Sequence, residues 1–234
     1  MAKFGFAFDL EGTIIDVERA HHQAHIKVAR ELGVELSIGE ALKQILHFIG
    51  GPDEKIMEEI MFLSKCKNVS IEELMQKDEI YYKEFLKKEK IQIRSGFIEC
   101  LTEIKKNNYE VAIGTLTDKD EAWHLINNSG LNNLIITTNI VYRDDVSVVK
   151  PAPAVFLETA KRMKVSVDFQ IVFEDSPRGV TAAINSGSRM VIGMPIYGLK
   201  EVRDLLIEAG AKYVFGDWKE VKIRDIVDEL NKSI

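Results

Sequence analysis

Phe4-Gly5-Phe6-Ala7-Phe8-Asp9-Leu10-Glu11-Gly12-Thr13-Ile14-Ile15-Asp16 is the stretch on which the fold turns. Its first five residues form a short apolar run, read here as a buried strand. Two carboxylates, Asp9 and Glu11, follow at once. Acids directly after a buried strand are expensive to place without a task. Taken alone, the segment also reads as a strand-end turn on which acids happen to fall. The rest of the chain decides between the two.

Working outward, further strand-like runs occur at Tyr109–Gly114, Leu134–Thr137, Ile171–Phe173, Arg189–Ile192 and Tyr213–Phe215. Amphipathic stretches lie between them, including Phe97–Lys106, with Ile98, Leu101 and Ile104 three apart, and Ala154–Met163. Strands separated by helices pair in parallel through right-handed crossovers, which predicts an α/β fold: an open, Rossmann-like parallel sheet with helices on both faces. The rhythm breaks from Val17 to about Lys90, where only helical periodicity appears. Leu42, Ile45, Leu46 and Ile49 share one helical face. Ile56, Ile60 and Leu63 mark a helix entered near Asp53, and Ser70 with Glu73 forms a capping box opening another that ends near Lys90. Four helices would pack as a small bundle. The expected organisation is an α/β core of residues 1–16 and 91–234 with a helical domain of residues 17–90 inserted into it.

In an open parallel sheet the carboxyl ends of the strands share one edge, and ligands bind in the crevice there. Thr115 follows the strand ending at Gly114, and Glu174-Asp175 follows Ile171–Phe173. Three strands therefore aim Asp9, Glu11, Thr115, Glu174 and Asp175 at one spot. Lys150-Pro151-Ala152-Pro153 precedes a helix starting near Ala154 and on its own reads as a proline-marked helix start. Beside four acids, a cation at Lys150 could hold a carboxylate and an anionic substrate together despite their like charges.

Asp9-Leu10-Glu11-Gly12-Thr13, Thr115, Lys150-Pro151-Ala152-Pro153 and Glu174-Asp175-Ser176-Pro177-Arg178-Gly179 resemble the four ordered motifs of the haloacid dehalogenase superfamily. The resemblance covers the whole chain, with the helical insert between the first and second motifs. That position is similar to the subgroup with a small helical cap, which includes phosphoglycolate phosphatase and β-phosphoglucomutase. The resemblance implies a Mg²⁺-dependent phosphatase acting on a small phosphorylated metabolite. In that scheme Asp9 attacks phosphorus to give an aspartyl-phosphate, and Glu11 protonates the leaving oxygen and later activates water. It also implies Mg²⁺ held by the Asp9 carboxylate, the Glu11 backbone carbonyl and Asp175, with Glu174 assisting through water. Thr115 would bind a phosphate oxygen, Lys150 would neutralise charge, and Gly12, with Thr13 beside it, would pass the backbone close to the phosphate. Three positions depart from the commonest pattern: Glu11 where Asp is usual, Leu116 where a small or amide residue is typical, and Ser95-Gly96-Phe97 in place of Pro-Gly.

Substrate choice is expected to lie in the cap. His21 falls where β-phosphoglucomutase also has a cap-hinge histidine, which makes it a substrate-binding candidate. His21 and His25 are one helical turn apart, but with no acidic or third ligand evident they read as ordinary polar residues rather than a metal pair. No arginine occurs between Gly50 and Lys65 to take a second phosphate, and Lys77 reads as a helix-surface lysine, which lowers the mutase-type phosphotransferase to an alternative. A non-catalytic phospho-acceptor module ranks lower, since it needs neither Glu11 nor a domain-sized insert.

Bulk properties agree with this reading. A chain of 234 residues, 46% hydrophobic and 29% charged, is an ordinary globular protein. A net charge of -6 argues against nucleic-acid partners, which need a cationic stripe. Cys66 and Cys100 fit no metal or redox spacing and suggest free thiols in a reducing compartment. The apolar run Phe4–Phe8 is too short for a signal-peptide core or a membrane span, so a cytoplasmic location with no membrane partner is expected.

Overall fold

The structure, a computed structural model, describes residues 4–66, 68–88 and 91–232. The chain divides into two compact units: Met1–Asp16 with Gln92–Ile234, and Val17–Ile91.

The first unit is built on six parallel strands: β1 (Gly5–Phe8), β2 (Glu110–Gly114), β3 (Ile140–Val141), β4 (Gln170–Glu174), β5 (Met190–Gly193) and β6 (Tyr213–Val214). Their order across the sheet is β3-β2-β1-β4-β5-β6. β1 is central and entirely buried, because Gly5-Phe6-Ala7-Phe8 carries no polar side chain for either face. The chain runs outward from β1 through β2 to β3, then returns to add β4 on the other side of β1. This reversal beside β1 is a topological switch point, the place where an open α/β sheet offers a crevice. Phe8 is in register with Ile113 of β2 and Phe173 of β4, so the residues that follow all three strands leave the sheet side by side.

The helical unit holds α1 (Glu18–Glu31), α2 (Ile38–Gln44), α3 (Asp53–Ser64) and α4 (Ile71–Lys88). Val28, Phe48, Ile56, Met57, Ile60 and Leu74 anchor its core. The capping box predicted at the start of α4 forms: Ser70 N donates to Glu73 at 3.0 Å and Glu73 N to Ser70 Oγ at 3.2 Å. The end predicted near Lys90 lies outside the described residues.

Helices α5 (Phe97–Lys106), α6 (Lys119–Ser129), α7 (Ala154–Met163), α8 (Pro177–Asn185), α9 (Lys200–Glu208) and α10 (Ile223–Asn231) complete the first unit. Side chains alternate across a strand, so β1 sends its residues to two different cores. Phe8 packs on one face with Phe173, Phe97 and Trp218, at ring separations of 5.1, 5.3 and 5.7 Å. Ala7 packs on the other with Ala112, Val172, Val155 and Phe156. The small side chain of Ala7 lets α7 approach closely; the rings of Phe8 and Phe173 fill the wider space under α5.

Three sequence expectations are corrected. The strand placed at Leu134–Thr137 is absent: Thr137–Asn139 forms a 3₁₀ turn and the strand is Ile140–Val141. Ile136 is 64% exposed, whereas Ile140 and Val141 are buried, so the apolar run was read one turn too early. The face Leu42, Ile45, Leu46, Ile49 is not continuous. α2 stops at Gln44, Ile45 takes an extended backbone, and Leu46 is left 86% exposed while Ile45 is buried. On α5 the buried stripe is Phe97, Cys100, Leu101 and Ile104, with Ile98 outward. Among the described residues no helix is long and apolar enough to cross a membrane.

Candidate active site

Asp9 leaves β1 with its backbone N–H donating to Phe173 O at 3.0 Å, which ties it to the end of β4. The turn that follows is tight: Ile14 N and Ile15 N both donate to Leu10 O, and Gly12 N donates to Ile15 O at 2.8 Å. Gly12 supplies the positive φ of 74° that this turn needs and that a side chain would resist. The turn is held from outside by two residues with no obvious role in the sequence. Arg94 donates to the carbonyls of Gly12 (2.5 Å), Met194 (2.6 Å) and Pro195 (3.0 Å), and Trp218 Nε1 donates to Thr13 O at 3.0 Å.

The Asp9 carboxylate is buried and meets Lys150, whose Nζ lies 2.5 Å from Asp9 Oδ1 and 2.6 Å from Glu174 Oε1. Lys150 sits on a cis Lys150–Pro151 peptide, and Arg178 donates to its carbonyl at 2.5 Å. Glu174 in turn accepts at Oε2 from Ser176 N (2.8 Å) and Ser176 Oγ (3.0 Å). Ser176 also caps α8 by accepting from Gly179 N at 3.1 Å, with Pro177 at the first helical position. Gly179 has no side chain because none fits: a Cβ there would stand 1.7 Å from Glu174 Oε1. The Glu174-Asp175-Ser176-Pro177-Arg178-Gly179 segment thus builds a bracket for Lys150.

Thr115 is buried at the end of β2. Its hydroxyl pairs with that of Thr117 at 2.8 Å and accepts from Thr117 N at 3.0 Å. Thr13 Oγ1 points to Asp175 Oδ1 at 3.3 Å. Leu116 is partly buried against the core under the sheet, and Gly96, with φ 87°, lies against Trp218 and Lys219.

Charge is concentrated where water is scarce. Burial drives the Asp9 carboxyl up to about 7, against the downward pull of Lys150 and with Glu174 adding to the rise. Burial also works against a charged Lys150, but Asp9 and Glu174 outweigh it and keep the ammonium protonated above its usual range. Lys150 is thus shared by two buried acids, Asp9 and Glu174. Asp9, Glu174 and Asp175 each offer an oxygen, and these atoms lie within 4.8 Å of one another. An all-oxygen donor set of carboxylates fits a hard divalent cation such as Mg²⁺.

Asp9, Lys150, Glu174 and Asp175 are thus brought together, with Thr13 bonded to the cluster and Gly12 in the same turn. Thr115 stands at the end of the neighbouring strand. Glu11 is half-buried in the turn after Asp9. His21 belongs to the helical unit, where its ring stacks on Tyr82 at 3.7 Å and burial pushes its pKa down to about 3. The expectation that the histidines are ordinary polar residues without acidic company is overturned for His25, which is buried and flanked by Asp53 and Asp78. Periodicity places His25 on a helix but cannot bring together three helices. Arg94, Thr117 and Trp218 went unnoticed in the sequence; the Thr115-x-Thr117 repeat at a strand end was the one available signal.

Residues 6–192 match the family model of the haloacid dehalogenase-like hydrolases. A phosphorylated carbohydrates phosphatase of Thermotoga maritima is 28% identical over 210 residues, covering 87% of this chain and 90% of that protein. The chloroplastic protein SUPPRESSOR OF QUENCHING 1 of Arabidopsis thaliana is 27% identical over 221 residues, covering 94% of this chain, which spans 20% of that protein's length. The crystal structure of a HAD hydrolase of family IA, variant 3, from Entamoeba histolytica superposes with a TM-score of 0.78 at 25% identity, covering 99% of this chain and 100% of that one.

Proposed function

This chain belongs to the haloacid dehalogenase-like hydrolases, and on that footing we propose that it is a phosphatase of small phosphorylated sugars that works through a phosphorylated Asp9. The observation that carries the proposal is the Asp9–Lys150–Glu174 chain of contacts at 2.5 and 2.6 Å, beside Asp175. A buried carboxylate held by an ammonium at a switch point is placed to attack, and the same ammonium can take the charge of a phosphoryl oxygen.

In the first step an Asp9 oxygen attacks phosphorus in line, and the bond from phosphorus to the sugar oxygen breaks as Glu11 gives that oxygen its proton. In the second step Glu11, now a carboxylate, takes a proton from water as the water oxygen attacks phosphorus. The Asp9–phosphorus bond breaks, and free phosphate and the original carboxylate result. Asp9 and Glu174 keep Lys150 charged in the resting site, and it compensates the negative charge shared by Asp9 and the incoming phosphate. The Thr115 hydroxyl, oriented by Thr117, donates to a phosphoryl oxygen. Asp9, Asp175 and the Glu11 backbone carbonyl would hold Mg²⁺, with Glu174 assisting through water. The ion supplies charge neutralisation for the transferring group and stabilises the ionised form of Asp9.

The T. maritima phosphatase of phosphorylated carbohydrates supports the substrate class. Phosphate release from hexose and pentose phosphates, polyol phosphates, phosphoglycolate and nucleotides, with and without Mg²⁺, tests the reading. Mg²⁺-dependent release from a sugar or polyol phosphate supports it. Isomerisation of a sugar monophosphate without net phosphate release would turn the assignment to a mutase.

A further inference from the structure

The helical unit carries a second group of metal-ligating side chains. His25 of α1, Asp53 at the start of α3 and Asp78 of α4 each offer one ligand atom, and the three atoms lie within 4.8 Å of one another. The side chains of His25 and Asp78 are 3% and 5% exposed, while that of Asp53 is 44% exposed and opens the group to solvent. Among the described residues neither carboxylate is paired with a lysine or arginine. A buried aspartate with one imidazole for company is expensive to keep.

His25 Nδ1 meets Asp78 Oδ1 at 2.8 Å, an ordinary hydrogen bond, but Nε2 stands 3.6 Å from Asp53 Oδ1. The second separation is longer than a hydrogen bond. Donor atoms that share one Zn²⁺ at bond lengths of ~2.0–2.1 Å sit roughly 3.3–3.4 Å apart at tetrahedral angles. One ring nitrogen of His25 and one oxygen from each aspartate lie within 4.8 Å of one another, within reach of that spacing by side-chain rotation. The neighbouring rings supply no competing charge: burial holds His22 well below its ordinary pKa and His21 near 3. Imidazole with carboxylates suits a borderline transition ion better than Mg²⁺.

We infer that His25, Asp53 and Asp78 form a binding site for a divalent transition ion, with Zn²⁺ as its representative, separate from the oxygen-only cluster at Asp9. The ion takes one ring nitrogen of His25 and one oxygen from each aspartate, with water completing its shell. His25 binds as neutral imidazole, so where the ion takes Nδ1 the ring proton now facing Asp78 moves to Nε2. Because the ligands come from α1, α3 and α4, the ion cross-links the three long helices of this unit.

The test is Zn²⁺ binding to the full chain in millimolar Mg²⁺, which occupies the oxygen-only site. Bound zinc is counted after gel filtration, and thermal unfolding is followed in parallel. The wild type and Asp175→Ala should each retain one equivalent of Zn²⁺ and unfold at a higher temperature with it. Asp53→Asn, a nearly isosteric change at a half-exposed helix start, should bind at least ~10-fold more weakly and lose the shift. His25→Gln should behave the same way; should it fail to fold, Asp53→Asn alone decides. Equal retention by wild type and Asp53→Asn, or no retained zinc in the wild type, would overturn the inference.

Discussion

Gly179→Ala replaces one hydrogen with a methyl group, yet it should cripple the site. The new Cβ would lie 1.7 Å from Glu174 Oε1, 1.9 Å from its Cδ and 2.3 Å from Oε2. Ordinary contact begins near 3.4 Å, so the whole carboxylate must withdraw by about half that distance. It cannot do so and keep its bonds to Lys150 at 2.6 Å and to Ser176 at 2.8 and 3.0 Å. Overpacking of this kind typically costs ~1–3 kcal/mol, which for a chain of this size lowers the melting temperature by roughly 2–4 °C per kcal/mol. The rate should suffer more, since displacing a catalytic group by ~1 Å can cost about 10²-fold. A double-mutant cycle isolates the cause. In Glu174→Ala the clash is gone, so adding Gly179→Ala should change neither stability nor rate by more than a few tenths of a kcal/mol. Calorimetry and steady-state phosphatase assays on the four proteins provide the measurement. Additive losses, or a Gly179→Ala protein as stable and active as the wild type, would refute the claim that this glycine exists to seat Glu174.

Asp175→Ala should raise the Mg²⁺ requirement or abolish turnover, and EDTA should silence the wild type until Mg²⁺ is restored. Because burial raises Asp9 to about 7, Mg²⁺ must displace its proton in more acidic solution, so the apparent Mg²⁺ affinity should fall about tenfold per pH unit below 7 and level off above it; calorimetric titration at pH 6 and pH 8.5 that gives equal affinities would contradict this. Glu11→Gln should slow hydrolysis of an alkyl phosphate by ~10²–10⁴-fold. With an aryl phosphate, whose leaving group needs little protonation, it should give a burst of phenol followed by a stalled phosphoenzyme, and wild-type turnover would exclude Glu11 from acid–base work. Arg94→Met removes charge-assisted bonds to three carbonyls at 2.5–3.0 Å and should destabilise the protein by at least ~3 kcal/mol, read as a lower urea midpoint.

What was legible in the sequence follows from what is local. Strand-like runs of three to six residues followed by an acid or threonine located β1, β2 and β4, and the rule that parallel strands end on one edge aimed Asp9, Glu11, Thr115, Glu174 and Asp175 at one spot. Lys150 was legible only beside those acids. The supports were not. Arg94 reaches Gly12 across 82 residues and Trp218 reaches Thr13 across 205, and neither bond leaves a periodic trace. Gly179 is an unremarkable glycine until Glu174 is seen to occupy the space beside it. β3 was misplaced because two residues are too few to outweigh the longer apolar run before them. His25 of α1 was misread for a related reason: Asp53 and Asp78 lie 28 and 53 residues along the chain from it and meet it only when the helices pack.

The account stands or falls on Asp9 as the atom that receives phosphorus. A rapid-quench turnover with a sugar phosphate, followed by borohydride reduction of the denatured protein and peptide mass spectrometry, reads this directly. An aspartyl-phosphate is an acyl phosphate, which borohydride reduces to the alcohol, so position 9 should appear as homoserine in proportion to the phosphoenzyme present. Glu11→Gln with an aryl phosphate should raise that fraction, and Asp9→Asn should abolish both the signal and turnover. Full turnover with Asp9 unreduced, or with the modification on another residue, would contradict the mechanism.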